Sequence, residues 1–168
     1  MFLPISLLFV GAVLVLNGLW MSGRISDREI VVINFATAAI TATVAAVSLV
    51  RATTGDEVRS VALTLLFSAT YLWVAVNRLN GADGRGLGWF SLFVSLSVLP
   101  QAFLALASAA KFIDIWLGIC SLTWSGLWFM YFATLTLKKP VQDQTAVATL
   151  LSGVLTAWLP ALFLMYGA

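Results

Sequence analysis

The stretch "NGADGRG", residues 80–86, separates two long apolar blocks in the middle of the chain. Its Asn-Gly and Asp-Gly pairs are strong turn signals, because these residue types adopt the left-handed backbone of tight turns at little cost. The flanking blocks, 60–77 and 86–110, contain no charged residue. A helix crosses the hydrocarbon core of a bilayer with about 20 apolar residues. The stretch therefore predicts a turn between two membrane-spanning helices.

The same alternation extends over the whole chain. Its nine Lys and Arg and seven Asp and Glu residues fall into five short clusters, and 61% of all residues are hydrophobic. Between the clusters lie uncharged blocks of 18 to 25 residues, at 1–23, 30–50, 60–77, 86–110, 115–137 and 144–168. The first block lacks the basic start and the cleavage site of a signal peptide, so it is predicted to be a span as well.

The predicted fold is an all-α integral membrane protein with six transmembrane helices in a single domain, residues 1–168. The helices are expected at about 3–21, 29–50, 58–79, 87–109, 112–138 and 143–167. Because the connections are short, consecutive helices should be antiparallel neighbours, which gives three hairpins.

The distribution of Lys and Arg predicts the orientation, since cytoplasmic loops carry the excess of these residues. The first, third and fifth loops hold six of them: Arg24, Arg28, Arg78, Arg85, Lys138 and Lys139. The second and fourth hold three: Arg51, Arg59 and Lys111. This places the odd-numbered loops in the cytoplasm and both termini outside it.

Ionisable groups are absent from the places where active membrane proteins need them. The chain has no His, and no Asp, Glu, Lys or Arg lies well inside an apolar block. Proton relays, ion coupling and voltage sensing rely on such groups, and general acid–base catalysis needs a pair of them. With a single cysteine, Cys120, a metal site is not expected either. We predict a protein that is not an enzyme and has no cofactor, metal or nucleic-acid partner.

Neutral polar and aromatic residues occupy the apolar blocks instead. Asn17, Asn34, Asn77 and Gln101 are amides in or near the helices. Each either joins helices by hydrogen bonds or faces water in a pathway for a neutral solute. Trp124 lies four residues before Trp128, and Trp73 lies four before Asn77, so each pair shares a helical face. Such faces form either ordinary packing or a narrow slot between aromatic planes.

Six stretches touch all six blocks in order and together resemble one family, the acid-activated urea channels and aliphatic amide transporters (UreI/AmiS). They are "FVGAVLVLNG" (9–18), "VINF" (32–35), "TYLWVAVN" (70–77), "WFSLFVSLSVLP" (89–100), "LTWSGLW" (122–128) and "GVLTAWLPALFL" (153–164). The resemblance implies three hairpins around a pore in each protomer, a ring of six protomers, and passive conduction of urea or short aliphatic amides.

The resemblance also implies which residues line the pore. An aromatic constriction corresponds to Trp73, Trp124 and Trp128, and an aliphatic constriction to Leu3, Leu7, Val10 and Leu14. The latter four also recur at intervals of four, three and four residues, which places them on one helical stripe. Contacts to the solute are expected from Ser152, Asn77, Ser121 and Thr156, and structural amides at Asn17 and Asn34.

The sequence departs from the urea channels at several of these positions. Ser152 stands where urea channels carry a Glu before the helix 6 glycine, and Ser121 and Ala69 stand where they carry Trp and Phe. These changes favour a larger mono-amide such as acetamide over urea. Acid gating in the family depends on loops that contain His, the side chain that titrates between about pH 5 and 8. The absence of His predicts a channel without acid gating.

The sequence therefore predicts a passive channel for short amides or urea in a bacterial plasma (inner) membrane. Its expected partners are the solute, membrane lipids and further copies of the chain in a homo-hexamer. A cytoplasmic amidase or urease would consume the solute. The alternative is a membrane scaffold or sensor subunit that transports nothing.

Overall fold

The structure, a computed structural model, describes residues 2–167. Within this range six helices are long and apolar enough to cross a membrane, which confirms the predicted all-α membrane fold. They are α1 (Leu3–Met21), α2 (Asp27–Arg51), α3 (Gly55–Asn80), α4 (Arg85–Ala107), α5 (Phe112–Leu135) and α6 (Gln142–Tyr166). The first and last residues of the predicted domain, 1 and 168, lie outside the described range.

Helices α2 and α3 begin earlier than the apolar pattern suggests, because polar residues cap them. The Ser26 hydroxyl accepts a hydrogen bond from the Glu29 amide, and the Glu29 carboxylate reaches back to the Ser26 amide. Thr54 and Glu57 form the same capping box before α3. Such boxes satisfy amide groups that a helix start leaves free, so these helices begin at Asp27 and Gly55 rather than near 29 and 58.

The helices surround a common axis, with their closest packing in the pairs α2–α3, α4–α5 and α1–α6. The short loops 52–54 and 108–111 join the first two pairs as antiparallel hairpins. The third pair brings the N-terminal helix against the C-terminal one and closes the ring.

Glycines permit the close approach of α1 and α6. A Cβ atom on Gly153 would lie 2.7 Å from the backbone nitrogen of Val15, and one on Gly18 would lie 2.8 Å from the carbonyl oxygen of Ala146. Small residues let membrane helices pack backbone to backbone in this way. A larger side chain at either position would separate the helices that close the ring.

The loops gather at two opposite ends. Residues of the first, third and fifth loops surround one cavity, where Arg78 Nη1 lies 3.8 Å from Asp27 Oδ2 and Lys138 Nζ donates to the Asp83 carbonyl at 3.3 Å. We call this the odd-loop end. The opposite end, with the second and fourth loops and the start of α1, is the even-loop end.

Helix α6 has an irregular centre. Residues Gln142–Ser152 and Leu159–Tyr166 are α-helical, but Gly153–Trp158 form a π-helical segment. The sequence indicates a bend here through Pro160, which has no amide hydrogen to donate. The structure accommodates the missing donor with the wider π turn.

Candidate solute pathway

Three cavities follow one another along the axis of the helix ring. The even-loop cavity measures about 760 Å³, the central cavity about 30 Å³ and the odd-loop cavity about 510 Å³. Helix α5 lines them in sequence order, with Ser121 and Trp124 in the first, Leu127 and Trp128 in the second, and Thr134 in the third. Helices α1 and α3 line them in the same order. The cavities therefore form one interrupted route between the two ends of the molecule.

Aromatic rings interrupt the route between the even-loop and central cavities. The ring of Phe67 stacks on that of Trp128, with centroids 4.7 Å apart and planes inclined by 18°. Phe67 also meets Trp124 edge to face at 5.5 Å and 85°. Phe67 and Trp124 line the even-loop cavity, whereas Trp128 lines the central one. We call these three residues the aromatic constriction.

Trp73, which the sequence places in this constriction, lies elsewhere in the structure. It is 38% exposed and packs against Phe90, with ring centroids 5.4 Å apart, and beside Gly86. Phe67 occupies the position beside Trp124 and Trp128 instead. The structure thus brings together two of the three predicted tryptophans and adds a phenylalanine.

The central cavity, at about 30 Å³, is the smallest of the three. Its wall contains Asn17, Thr70, Tyr71 and Ser91 among apolar side chains, and no charged residue within the described chain. Tyr71 is 3% exposed, and its hydroxyl has no hydrogen-bond partner among residues 2–167. Since an unpaired buried hydroxyl is unfavourable, it is the natural contact for a water or solute in this cavity.

The odd-loop cavity combines a neutral amide with charges at its rim. Asn77 is buried in its wall, whereas Asp27, Arg78, Asp83 and Lys138 belong to its outer part. The backbone amide of Arg85 donates to the Asp83 carboxylate and, with the Arg85 side chain, holds the pKa of Asp83 below its ordinary value. Asp83 therefore remains ionised in mildly acidic solution.

The four aliphatic residues predicted on one stripe of α1 lie at different depths along the route. Leu3 is 47% exposed at the even-loop end, and Leu7 lines the even-loop cavity beside it. Val10 lies in the apolar core with Leu7 and Leu14, and Leu14 also lines the central cavity. The stripe thus follows the route from the even-loop end to its centre.

Asn17 and Asn34 bind each other between α1 and α2. Asn34 Nδ2 donates to Asn17 Oδ1 at 2.7 Å, and Asn17 Nδ2 donates to Asn34 Oδ1 at 3.2 Å. Asn34 Nδ2 also donates to the Ile30 carbonyl at 2.9 Å. Both side chains are buried. Reciprocal bonds of this kind join helices in a membrane.

The predicted hydroxyl contacts occupy different positions. Ser121 lines the even-loop cavity and donates to the Leu117 carbonyl at 3.0 Å. Ser152 and Thr156 are buried in α6 and are not among the residues that line the three cavities within the described chain. The Thr156 hydroxyl instead receives a hydrogen bond from Trp124 Nε1 at 2.7 Å.

Two residues that line the route, Phe67 and Tyr71, were not among the predicted site residues. A signal for them exists in the sequence, because Leu63, Phe67, Tyr71 and Val74 recur at helical spacing on one face of α3. Trp73 and Asn77, the predicted pair, share a neighbouring face of α3. Asn77 reaches the odd-loop cavity from the edge of that stripe.

Comparisons with known proteins agree with this architecture. A transporter of Mycolicibacterium smegmatis, described as acting on amidate substrates, is 38% identical over 168 residues, which cover 97% of this chain and 76% of the relative. The acid-activated urea channel of Helicobacter pylori is 30% identical over 185 aligned residues, covering 95% of each protein. The crystal structure of the Helicobacter pylori urea channel superimposes with a TM-score of 0.85 and 31% identity over 98% of both chains.

These relatives are transporters or channels rather than enzymes, and they confirm the prediction of a multi-pass transport protein of the inner membrane. Residues 2–168 match the profile of the AmiS/UreI transporters. The match spans nearly the whole chain, and the resemblance that the six sequence stretches indicate is confirmed. The chain belongs to the AmiS/UreI family of transporters.

Proposed function

We propose that this protein is a passive channel that conducts short aliphatic amides and urea into the cytoplasm. The observation that carries the proposal is the axial route of three successive cavities, in which a cluster of aromatic rings separates the even-loop cavity from the central one. The names of the relatives, an amidate transporter and a urea channel, support this class of solute.

The chemistry of the central part of the route suits a small neutral molecule. An amide is planar and can slide between aromatic faces, and its NH₂ and C=O groups can use the free hydroxyl of Tyr71. A hydrated ion would have to lose its water in the aliphatic and aromatic stretch without any charged group to replace it. The route thus favours amides over ions.

Passage requires movement of side chains at the aromatic constriction. Phe67 stacks on Trp128 with ring centroids 4.7 Å apart, which leaves no gap between the two rings for a planar amide. Rotation of Phe67 away from the Trp128 face would join the even-loop and central cavities. A side-chain rotation needs no external energy source, so the constriction can act as a size filter in a passive channel.

We infer that acid does not gate this channel. The chain contains no His. Carboxylates at the even-loop end have local partners: Asp56 pairs with Arg59 at 2.8 Å, Glu57 caps α3, and Asp114 accepts from the Lys111 amide at 2.9 Å. The two caps lie within single segments, and the Asp56–Arg59 pair extends only to an uncharged side chain, because Arg59 Nε donates to Gln101 Oε1 of α4 at 2.6 Å.

We further propose that the odd-loop end faces the cytoplasm, that six copies form a ring, and that an amidase or urease consumes the solute. The excess of Lys and Arg in the odd-numbered loops supports the orientation. Large exposed apolar side chains around the ring, such as Val32, Phe93 and Phe129, fit contacts with lipid or neighbouring protomers.

Stopped-flow uptake into proteoliposomes tests the proposal. Urea, formamide, acetamide and propionamide should equilibrate much faster than in protein-free vesicles, and glycerol should lag behind the amides. Uptake at the lipid background for every solute would contradict the proposal and favour a scaffold or sensor subunit. Chemical cross-linking in the membrane tests the ring, with a hexamer as the largest expected product.

A further inference from the structure

The irregular centre of α6 frees a backbone carbonyl that α5 then uses. The Leu159 amide donates to the Val154 carbonyl, a π-type bond to the fifth preceding residue. In a π turn the Leu155 carbonyl would accept from residue 160, but Pro160 has no amide hydrogen. Trp116 Nε1 takes the place of that donor and reaches the Leu155 oxygen at 3.2 Å. A tryptophan of α5 therefore holds the π segment from outside.

A second tryptophan of α5 meets the next residue of the same segment. Trp124 Nε1 lies 2.7 Å from Thr156 Oγ1, and Thr156 Oγ1 lies 2.6 Å from the Ser152 carbonyl oxygen. The direction of both bonds is fixed by chemistry. An indole N–H can only donate and a carbonyl can only accept. The hydroxyl therefore accepts from Trp124 and gives its single hydrogen to Ser152.

This chain of bonds ends at the aromatic constriction. Trp124 presents its ring edge-on to Phe67, which in turn stacks on Trp128. Thr156 itself is 6% exposed and does not line the central or even-loop cavity within the described chain. With its hydrogen donated and one acceptor site filled, its hydroxyl is committed to the tryptophan rather than to a solute.

We propose that Thr156 is a positioning residue that fixes the orientation of the Trp124 indole, and with it the size limit of the aromatic constriction. The inference rests on the proposed conduction of amides along the axial route. Thr156 belongs to the π segment, where its hydroxyl faces the Trp124 indole and at the same time donates to the Ser152 carbonyl of its own helix.

Selectivity, rather than basal flux of the smallest solute, should depend on this bond. The Trp124 indole, held through its Nε1–H, cannot rotate to make room for a longer amide. Without the hydrogen bond it can rotate. A well-formed apolar site discriminates a single methylene group by about tenfold or more. We expect Thr156→Val, which keeps the shape but removes the acceptor, to raise propionamide flux relative to urea flux on the order of tenfold.

Three variants in proteoliposomes provide the transport test. Thr156→Val should raise the propionamide-to-urea ratio, and Thr156→Ser should restore it by retaining the hydroxyl. Thr123→Val is the matched control, because Thr123 is exposed on α5 and, among residues 2–167, its hydroxyl bonds only to the Ile119 carbonyl of its own helix. An unchanged ratio in Thr156→Val, or a ratio in Thr123→Val that rises equally, would overturn the proposal.

A spectroscopic readout separates this inference from the proposed function. In protein labelled with ¹⁵N-tryptophan, the Nε1–H resonance assigned to Trp124 should move upfield in Thr156→Val and return in Thr156→Ser. A resonance that does not move would overturn the positioning role, whether or not the protein transports solute. Conversely, a shifted resonance in a protein that passes no amide would contradict the channel and leave the hydrogen bond established.

A substitution on the other partner of the bond covers the case in which Thr156→Val folds poorly. Trp124→Phe removes the indole donor and should raise the propionamide-to-urea ratio by itself. Where Thr156→Val folds, adding it in the Trp124→Phe background should cause no further change, because the bond is already gone. Independent, additive effects of the two substitutions on the ratio would contradict the coupling.

Discussion

The two faces of α3 contrast sharply although both carry aromatic residues. One face presents Phe67 and Tyr71 to the axial route, where Phe67 stacks on Trp128 and the Tyr71 hydroxyl lacks a partner. The other presents Trp73, which packs on Phe90 and remains 38% exposed. The difference shows that an aromatic residue in a membrane helix acquires a role through its neighbours across the ring, and that size or residue type alone does not assign one.

The largest expected effect separates the two faces directly. Phe67→Ala should open the contact with Trp128 and raise propionamide flux relative to urea flux by a factor of about 10 to 100. Trp73→Ala removes a larger ring from the same helix, yet it should leave this ratio unchanged. Stopped-flow uptake by both variants checks the comparison. If Trp73→Ala alters the ratio and Phe67→Ala does not, the route has been assigned to the wrong face.

Polar residues of the helix ring also have two roles, since some join helices and others face the route. The free energy of unfolding should distinguish them. Asn34→Leu deprives Asn17 of its reciprocal partner and should lower the free energy of unfolding by about 1–2 kcal/mol. Thermal unfolding in detergent measures this loss. Flux per folded protein should stay near the wild-type value, because the Asn17–Asn34 pair joins helices. A stable Asn34→Leu variant with altered solute selectivity would mean that the pair contacts the solute instead.

A smaller effect is expected at the free hydroxyl of the central cavity. Tyr71→Phe keeps the ring and removes one hydrogen bond to the passing solute, a change of about 0.5–1.5 kcal/mol, or roughly two- to tenfold in amide flux. The protein should fold as well as wild type, since the hydroxyl has no partner among residues 2–167. Trp73→Phe on the other face is the control. Equal flux in Tyr71→Phe and wild type would remove Tyr71 from the route.

The smallest expected effect is that of acid. Asp83 at the odd-loop end keeps its charge at pH 5, because hydrogen bonds from Arg85 hold its pKa below the ordinary value. The chain has no His to titrate between pH 5 and 7.5. Urea and acetamide flux should therefore agree within about twofold at the two values of pH. Flux that occurs only in the acidic sample would contradict this prediction and would show that protonation of carboxylates opens the channel.

Charge clusters predicted the six spans because the bilayer imposes a length on every uncharged helix. The roles of Gly18 and Gly153 could not be predicted in this way, because each packs against residues of a helix that is distant in sequence. Spacing within one helix did not choose between Phe67 and Trp73, because either residue belongs to a regular stripe. That choice depends on where α5 places Trp124 and Trp128.

Thr156 illustrates what residue type leaves open. In the sequence it is a hydroxyl near a predicted pore, and a contact to the solute is a reasonable expectation. The structure gives the same hydroxyl two protein partners through the π turn of α6. The sequence contains Pro160, but a missing amide hydrogen can produce a kink, a break or a π turn. In the structure it is a π turn, and Trp116 and Trp124 of α5 donate hydrogen bonds to it.

The most direct test of the central claim is the rate of acetamide and urea uptake into proteoliposomes with every ion gradient collapsed. We predict that both solutes equilibrate far above the protein-free rate, at similar speed at pH 5 and pH 7.5, and that Phe67→Ala widens the range of amides that follow. Uptake that appears only with an imposed proton gradient, or that never exceeds the lipid background, would contradict a passive channel through the aromatic constriction.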